Sequence, residues 1–184
     1  MNPLQDIFLY FAKFPLKAGV LELFNRDESD LYPDYALLKT EIEALEVHSL
    51  VPGIEEFVFG VNEDSVKARI IELTGTYLFI DYGHIMTTED QYDRHTEDML
   101  ISLTVATPYQ IEKLDMVEQV FMADAALEML LEIRSQMEAD SECPFVKHLT
   151  FPTEITPFFA RELSDSTGWT MVFKKRGVEL LVNN

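Results

Sequence analysis

The sequence predicts an α+β fold: a mainly antiparallel sheet with a long helix packed on one face and additional helices at the N-terminus. Three observations predict it. Between Thr76 and Ala139 two strand-like runs, TYLFIDYGHI and EDMLISLTVATPY, are followed by DMVEQVFMADAALEMLLEIRSQMEA, which has helical spacing. In the second run Met99, Ile101, Leu103 and Val105 fall on one face, and Leu100, Ser102, Thr104 and Ala106 on the other. A period-2 split of this kind marks an antiparallel strand with one face in a core. Further strand-like segments follow the helix, and strands adjacent in sequence tend to be neighbours in the sheet.

The 184 residues fit a single domain, 1–184, with residues 1–53 as a candidate helical appendage on a sheet-and-helix core of 54–184. A chain of this length buries roughly two-thirds of its unfolded surface, so it needs no covalent staples. The hydrophobic fraction of 47%, with 13 Phe and 7 Tyr, supplies a core and excludes a disordered chain. Cys143 is the single cysteine, so no intrachain disulfide can form. It stands beside Pro144 and reads as a small packed or surface residue rather than a nucleophile. The first twenty residues make a poor signal peptide, because Asp6 precedes the apolar run and Lys13, Pro15 and Lys17 interrupt it. No apolar run approaches the roughly 18 residues of a membrane span. These features predict a cytoplasmic protein, or a virion component if the chain is phage-derived.

Taken in order, Pro3 to Phe14 has Leu4, Ile7, Phe8 and Phe11 on one helical side, and Pro15 ends or kinks that helix. Leu16 to Phe24 is open between a short helix and a strand. Asp34 is expected to cap the helix YALLKTEIEALE. Pro52-Gly53 marks a turn, and EFVFGV from Glu56 to Val61 reads as a short strand. Asp64 is expected to cap a brief helix that stops at Gly75. Pro108 ends the second central strand, since it has no N–H for the ladder. On the long helix, Leu114, Val117, Phe121, Leu127, Leu130, Leu131 and Met137 form a broad apolar stripe, with Val120, Met122, Met129 and Ile133 beside it. Such width predicts a deeply buried helix or one shared with a neighbouring subunit, and burial is the expectation. FVKHLTF alternates as a strand, Thr153 to Leu163 reads as a helical turn or a loop, and GWTMVFKKR is the last strand, with Trp169 anchoring the core.

Recognisable reaction chemistry is missing. Thr87 to Asp98, TTEDQYDRHTED, reads as an acidic loop with five carboxylates and His95, but it lacks the glycine and spacing of an EF-hand. HExxH, GxSxG, Walker A and GxGxxG patterns are absent, and the seven glycines are scattered. His48, His84, His95 and His148 stand in separate segments. The expectation is no catalytic residue, no metal and no cofactor.

Charge carries more information. The formal net charge is −19, which repels nucleic-acid phosphates and anionic membranes. From Glu89 to Glu142 fourteen acids face three bases, a net of −11, whereas Lys174, Lys175 and Arg176 stand in a row near the C-terminus. Asp124, Glu128 and Glu132 recur every four residues along the long helix. Like charges at that spacing repel, so the stripe is either a solvated face or a docking stripe for a basic partner. Candidate protein-binding residues are therefore Glu89, Asp90, Asp93, Glu97 and Asp98 in the loop, Asp124, Glu128 and Glu132 on the helix, and the basic triad Lys174, Lys175 and Arg176. Solvated faces and a charged edge strand are the plainer reading of the same residues.

The unit YLFIDYGHI, loop, EDMLISLTVATPY, helix, followed by a strand pair ending in GWTMVF, resembles the tail-terminator and tail-completion proteins of tailed phages over about residues 76–176. The resemblance lies in element order and hydrophobic pattern. It implies a ring-forming structural protein without catalytic residues, whereas the N-terminal helices and the strong acidity go beyond the family pattern. The functional expectation is a non-enzymatic structural or assembly protein of a prophage or mobile element. It would work by protein–protein contact and homo-oligomerisation through an edge strand or helix face, aided by opposite charges and weakened by salt. The alternatives are a cytoplasmic acidic binding module or inhibitor for a basic partner, and a carboxylate or divalent-metal enzyme.

Overall fold

A computed structural model describes residues 3–61, 63–89, 95–108, 114–143, 145–151, 154–160 and 165–176. Three helices lead the chain: α1 (Pro3–Phe11), α2 (Lys17–Leu21) and α3 (Asp34–Ala44). Then come β1 (Glu56–Phe59), α4 (Glu63–Glu72), β2 (Tyr77–Glu89), β3 (His95–Pro108) and α5 (Met116–Ala139). A 3-10 turn (Val146–His148) precedes β4 (Leu149–Thr150), β5 (Ile155–Ala160) and β6 (Ser166–Arg176). The fold is α+β, with one mixed sheet in the order β1–β2–β3–β6. β4 and β5 share the far side of β6. β1 runs parallel to β2 across the α4 connection, and every other pairing is antiparallel.

The period-2 pattern of β3 is realised. Met99, Ile101, Leu103 and Val105 are buried, and from β6 Met171 and Phe173 join them in one cluster. α5 lays Ala126, Leu130, Ile133 and Met137 into this cluster. Ile7, Phe8 and Phe11 of α1 are buried in the same cluster, so the first helix is part of the core that the sheet and α5 build. Phe11 stands 5.2 Å from the Tyr10 ring, 6.1 Å from Phe14 and 5.7 Å from Phe145. A smaller cluster lies apart, where Val66, Ile70 and Leu73 of and beyond α4 meet Val58, Tyr77 and Ala106.

Several local expectations are corrected. α3 begins at Asp34 itself, with Pro33 in the capping position, and α4 begins at Glu63. Leu16 to Phe24, open between a short helix and a strand, takes the first alternative as the five-residue α2. FVKHLTF is mostly a 3-10 turn, with only Leu149–Thr150 in the sheet, because the chain must turn here to bring Phe145 and Val146 into the core. The segment taken as a helical turn or loop contains β5, paired with β6 from Ile155↔Met171 to Ala160↔Ser166. Thr87 to Glu89 and His95 to Asp98 extend the β2–β3 hairpin rather than forming loop.

β3 and β6 approach closely where Gly168 opposes Ala106. A Cβ on Gly168 would stand 2.0 Å from the Val105 carbonyl oxygen and 2.6 Å from the Ala106 Cα. Backbone cannot swing away as a flexible side chain can. Gly168→Ala is therefore expected to cost at least about 1–3 kcal/mol, the range for overpacked cores. Urea denaturation followed by circular dichroism measures it; an unchanged midpoint would show that β6 can shift freely.

A polar latch joins α1 to the end of α5. Asp140, in the C-capping position of α5, accepts hydrogen bonds from Tyr10 at 3.0 Å, from Gln136 at 3.2 Å and from Lys13, with which it also forms an ion pair. Lys13 also sits over the Tyr10 ring, 4.0 Å from its centroid. Burial pushes the Asp140 carboxyl up, but the hydrogen bonds from Lys13 and Tyr10 and the Lys13 charge outweigh it and hold the group below its ordinary value. A carboxyl depressed in the fold stabilises above its unfolded pKa of about 3.9. That contribution disappears as pH falls through the folded value. Asp140→Asn is expected to lose about 1–2 kcal/mol at pH 7, allowing for partial solvent access. Its urea midpoint should also fall less steeply than the parent's as pH drops below 5. Parallel acid profiles for the two proteins would exclude the latch.

Candidate interaction site

α5 starts at a built cap. Asp115 accepts the backbone N–H groups of Val117 and Glu118, both at 2.8 Å, and Glu118 accepts the Asp115 N–H at 2.8 Å. This reciprocal capping box satisfies three backbone donors at the helix start. The helix then docks on the sheet only further along. From Met116 to Ala125 no side chain is buried, whereas Ala126, Leu130, Ile133 and Met137 recur at four- and three-residue steps on the core side. Trp169 of β6 fixes the junction by donating its indole N–H to the Ala123 carbonyl at 2.9 Å.

The expected apolar stripe is therefore divided. Leu130 and Met137 are in the core, but Val117, Phe121 and Leu131 face outward. Exposure reaches 83% at Met116, 61% at Val117, 58% at Val120 and 69% at Phe121. At 100° per residue, Val117, Phe121, Asp124, Glu128 and Leu131 follow one line along the helix, opposite the buried side chains. Asp124, Glu128 and Glu132 are exposed, as a solvated or docking face requires. The outer face of α5 is thus apolar over its first two turns and acidic beyond them. Contiguous exposed apolar side chains of this size are uncommon on proteins that act alone.

Among the described side chains, Lys174 and Lys175 do not form a matching basic surface. β6 is an interior strand, with β3 on one side and β4 and β5 on the other. The expectation of a basic edge strand is corrected by this pairing. Asp98 and Lys174, expected on opposite docking surfaces, form an ion pair at 2.5 Å within the chain, and Asp98 is buried. Strand alternation places them on the same side of the sheet, with Leu100 opposite Lys174. Lys175 points the other way and lies 4.6 Å from the centroid of the Phe145 ring, where burial pushes its pKa down. Glu89, Glu97 and Arg176 lie in β2, β3 and β6 by backbone, and their side chains fall outside the described structure. Asp90 and Asp93 lie outside the described residues.

The sheet edge at β5 offers little for strand addition. β5 carries Pro157 in its middle, which removes one ladder donor and blunts the edge. Among the described residues, no group of three or more His, Cys, Asp and Glu side chains is placed to hold a metal ion. Among them, too, no helix is long and apolar enough to cross a membrane.

Sequence reasoning missed the outward exposure of Met116, Val117, Val120 and Phe121. A signal was present: stepping back from Asp124 by three, four and seven residues reaches Phe121, Val120 and Val117. The acid stripe marks the solvent side, so those three share it. No family model matches the chain, and no curated protein matches it.

Proposed function

We propose that this chain is a non-enzymatic assembly protein that works by protein–protein contact through the outer face of α5, with a second copy as its first partner. The observation that carries the reading is the exposed apolar surface of Met116, Val117, Val120 and Phe121 on a rigid, capped helix. Two such helices laid antiparallel about a two-fold axis near residue 119 set Val117 of each copy against Phe121 of the other, two residues on one line of the helix. Each copy's Asp124, Glu128 and Glu132 then run outward, away from one another. A self-complementary patch of this kind is what a two-fold contact needs. The resemblance in element order to tail-terminator and tail-completion proteins supports an assembly role, and with it an origin in a prophage or mobile element.

The charge mechanism differs from the one the sequence suggested. With Lys174 paired in-chain and Lys175 against Phe145, neither lysine of the triad is free for a head-to-tail attraction. Self-contact brings two strongly acidic molecules together, so salt should tighten it by screening their repulsion. A second reading rests on the acidic stripe itself: a basic partner whose apolar anchors meet Val117 and Phe121 and whose cations meet Asp124, Glu128 and Glu132. Salt weakens that contact. Size-exclusion chromatography with light scattering at low and high salt tests the first reading, and a strict monomer at high concentration in both conditions would overturn it.

A further inference from the structure

A cavity of about 510 Å³ lies where the C-terminal end of β1 meets α4, and none of its lining residues belongs to α5. Phe59 and Tyr82 form one wall, their rings 4.6 Å apart and tilted by 32°. Tyr82 reaches this position because β2 shifts register between Asp81 and His84. Val58 and Val66 supply apolar floor, and Glu22 and Glu72 supply carboxylates at the mouth. Arg69 also lines the cavity and divides itself between two acids, Glu22 at 3.1 Å and Glu56 at 2.9 Å.

One guanidinium cannot neutralise two carboxylates, and Glu72 adds a third. Burial and the neighbouring Glu22 hold the Glu56 carboxyl above its ordinary value despite Arg69, as expected where positive charge is short. An anion is disfavoured for the same reason. The nearby start of α4 carries Glu63 and Asp64, which cancel the attraction a helix N-terminus has for anions. Aromatic rings and carboxylates lining one cavity instead suit a flat cation. A guanidinium stacks on aromatic faces and donates in-plane hydrogen bonds to carboxylates, and it is more weakly hydrated than an ammonium.

We propose that this cavity binds a guanidinium group, using the Phe59 and Tyr82 rings and the Glu22 and Glu72 carboxylates that line it. The group can come from an arginine side chain of a partner or from a small guanidinium compound; the recognition chemistry is the same. The site is independent of α5's outer face. A single side chain in an open cavity gives affinity on the order of millimolar.

The test is a titration of isotopically labelled protein followed by amide chemical shifts, with argininamide, lysinamide and an arginine-containing peptide as separate probes. Saturable shifts at Gly60, Ser65 and Tyr82 are expected with an arginine probe. Lysinamide is expected to bind at least severalfold more weakly. Saturation by free argininamide points to a small-molecule source; saturation only by the peptide points to a protein partner. Glu22→Gln and Glu72→Gln, both at exposed positions, should each weaken binding about fivefold while shifts remote from the cavity stay as in the parent. The proposal is overturned if neither arginine probe shifts these residues, if lysinamide binds equally well, or if both glutamine variants bind like the parent.

Discussion

Phe121→Asp should leave the protein monomeric at concentrations where the parent self-associates. Phe121 is the largest exposed apolar side chain on α5's outer face and lies in line with Val117, opposite the helix's buried residues. In the two-fold contact each Phe121 meets the partner's Val117. The substitution removes that apolar area twice and adds two charges to an interface flanked by acids, and truncating a central aromatic anchor commonly costs 2 kcal/mol or more. That corresponds to about a thirtyfold loss per copy of the anchor. The side chain has no place in the core, so folding stability should change by no more than about 0.5 kcal/mol. The two readouts separate the explanations. Light scattering reports the oligomer and urea denaturation reports the fold. A variant that keeps the parent's mass at every concentration removes α5 as the contact surface.

Phe11→Ala should destabilise the fold by about 3–5 kcal/mol, the usual cost of deleting a fully buried phenylalanine ring. Phe11 is completely buried and contacts rings from α1, the loop after it and the segment after α5. No neighbour can collapse into the space without leaving its own partners, so a cavity would remain. Denaturant midpoint and slope measure the loss. A cost below about 1 kcal/mol, as for a surface site, would mean that α1 is peripheral to the fold rather than part of its core. The result bears on assembly as well, because α1 is latched through Tyr10 and Lys13 to Asp140 at the end of α5.

The strands and helices that sequence made legible are those with one dominant period. β3 alternates over its whole central part, and nothing in its pattern competes with a strand. β6 is equally plain in GWTMVFKKR. β5 was not legible, since ITPFFA has a proline at its centre and no alternation, and it becomes a strand by pairing with β6. FVKHLTF shows the opposite error. It alternates, yet its first half is needed as a turn that carries Phe145 into the aromatic cluster.

The candidate site divides along the same line. Asp124, Glu128 and Glu132 could be placed on one helix face by arithmetic, and they lie there. Val117, Phe121 and Leu131 could not be placed by hydropathy, because apolar residues stand on both the core side and the acidic side of α5 and apolar periodicity alone picks neither. The charges of β6 were misplaced for a different reason. A run of three basic residues looks like an edge until strand order is known, and strand order is set by pairings between segments far apart in sequence.

By itself the sequence determined the class of fold, the central hairpin and long helix, the face of β3 that enters the core, and a net charge of −19 that disfavours anionic partners. These follow from local periodicity and summed charge, which need no knowledge of distant neighbours. Tertiary structure decided which side of α5 is free, which lysines are already engaged, and where a cavity gathers aromatic rings and carboxylates. Each depends on how far the sheet extends beneath a helix and which strand lies beside which. Such relations arise only when remote segments compete for the same buried space.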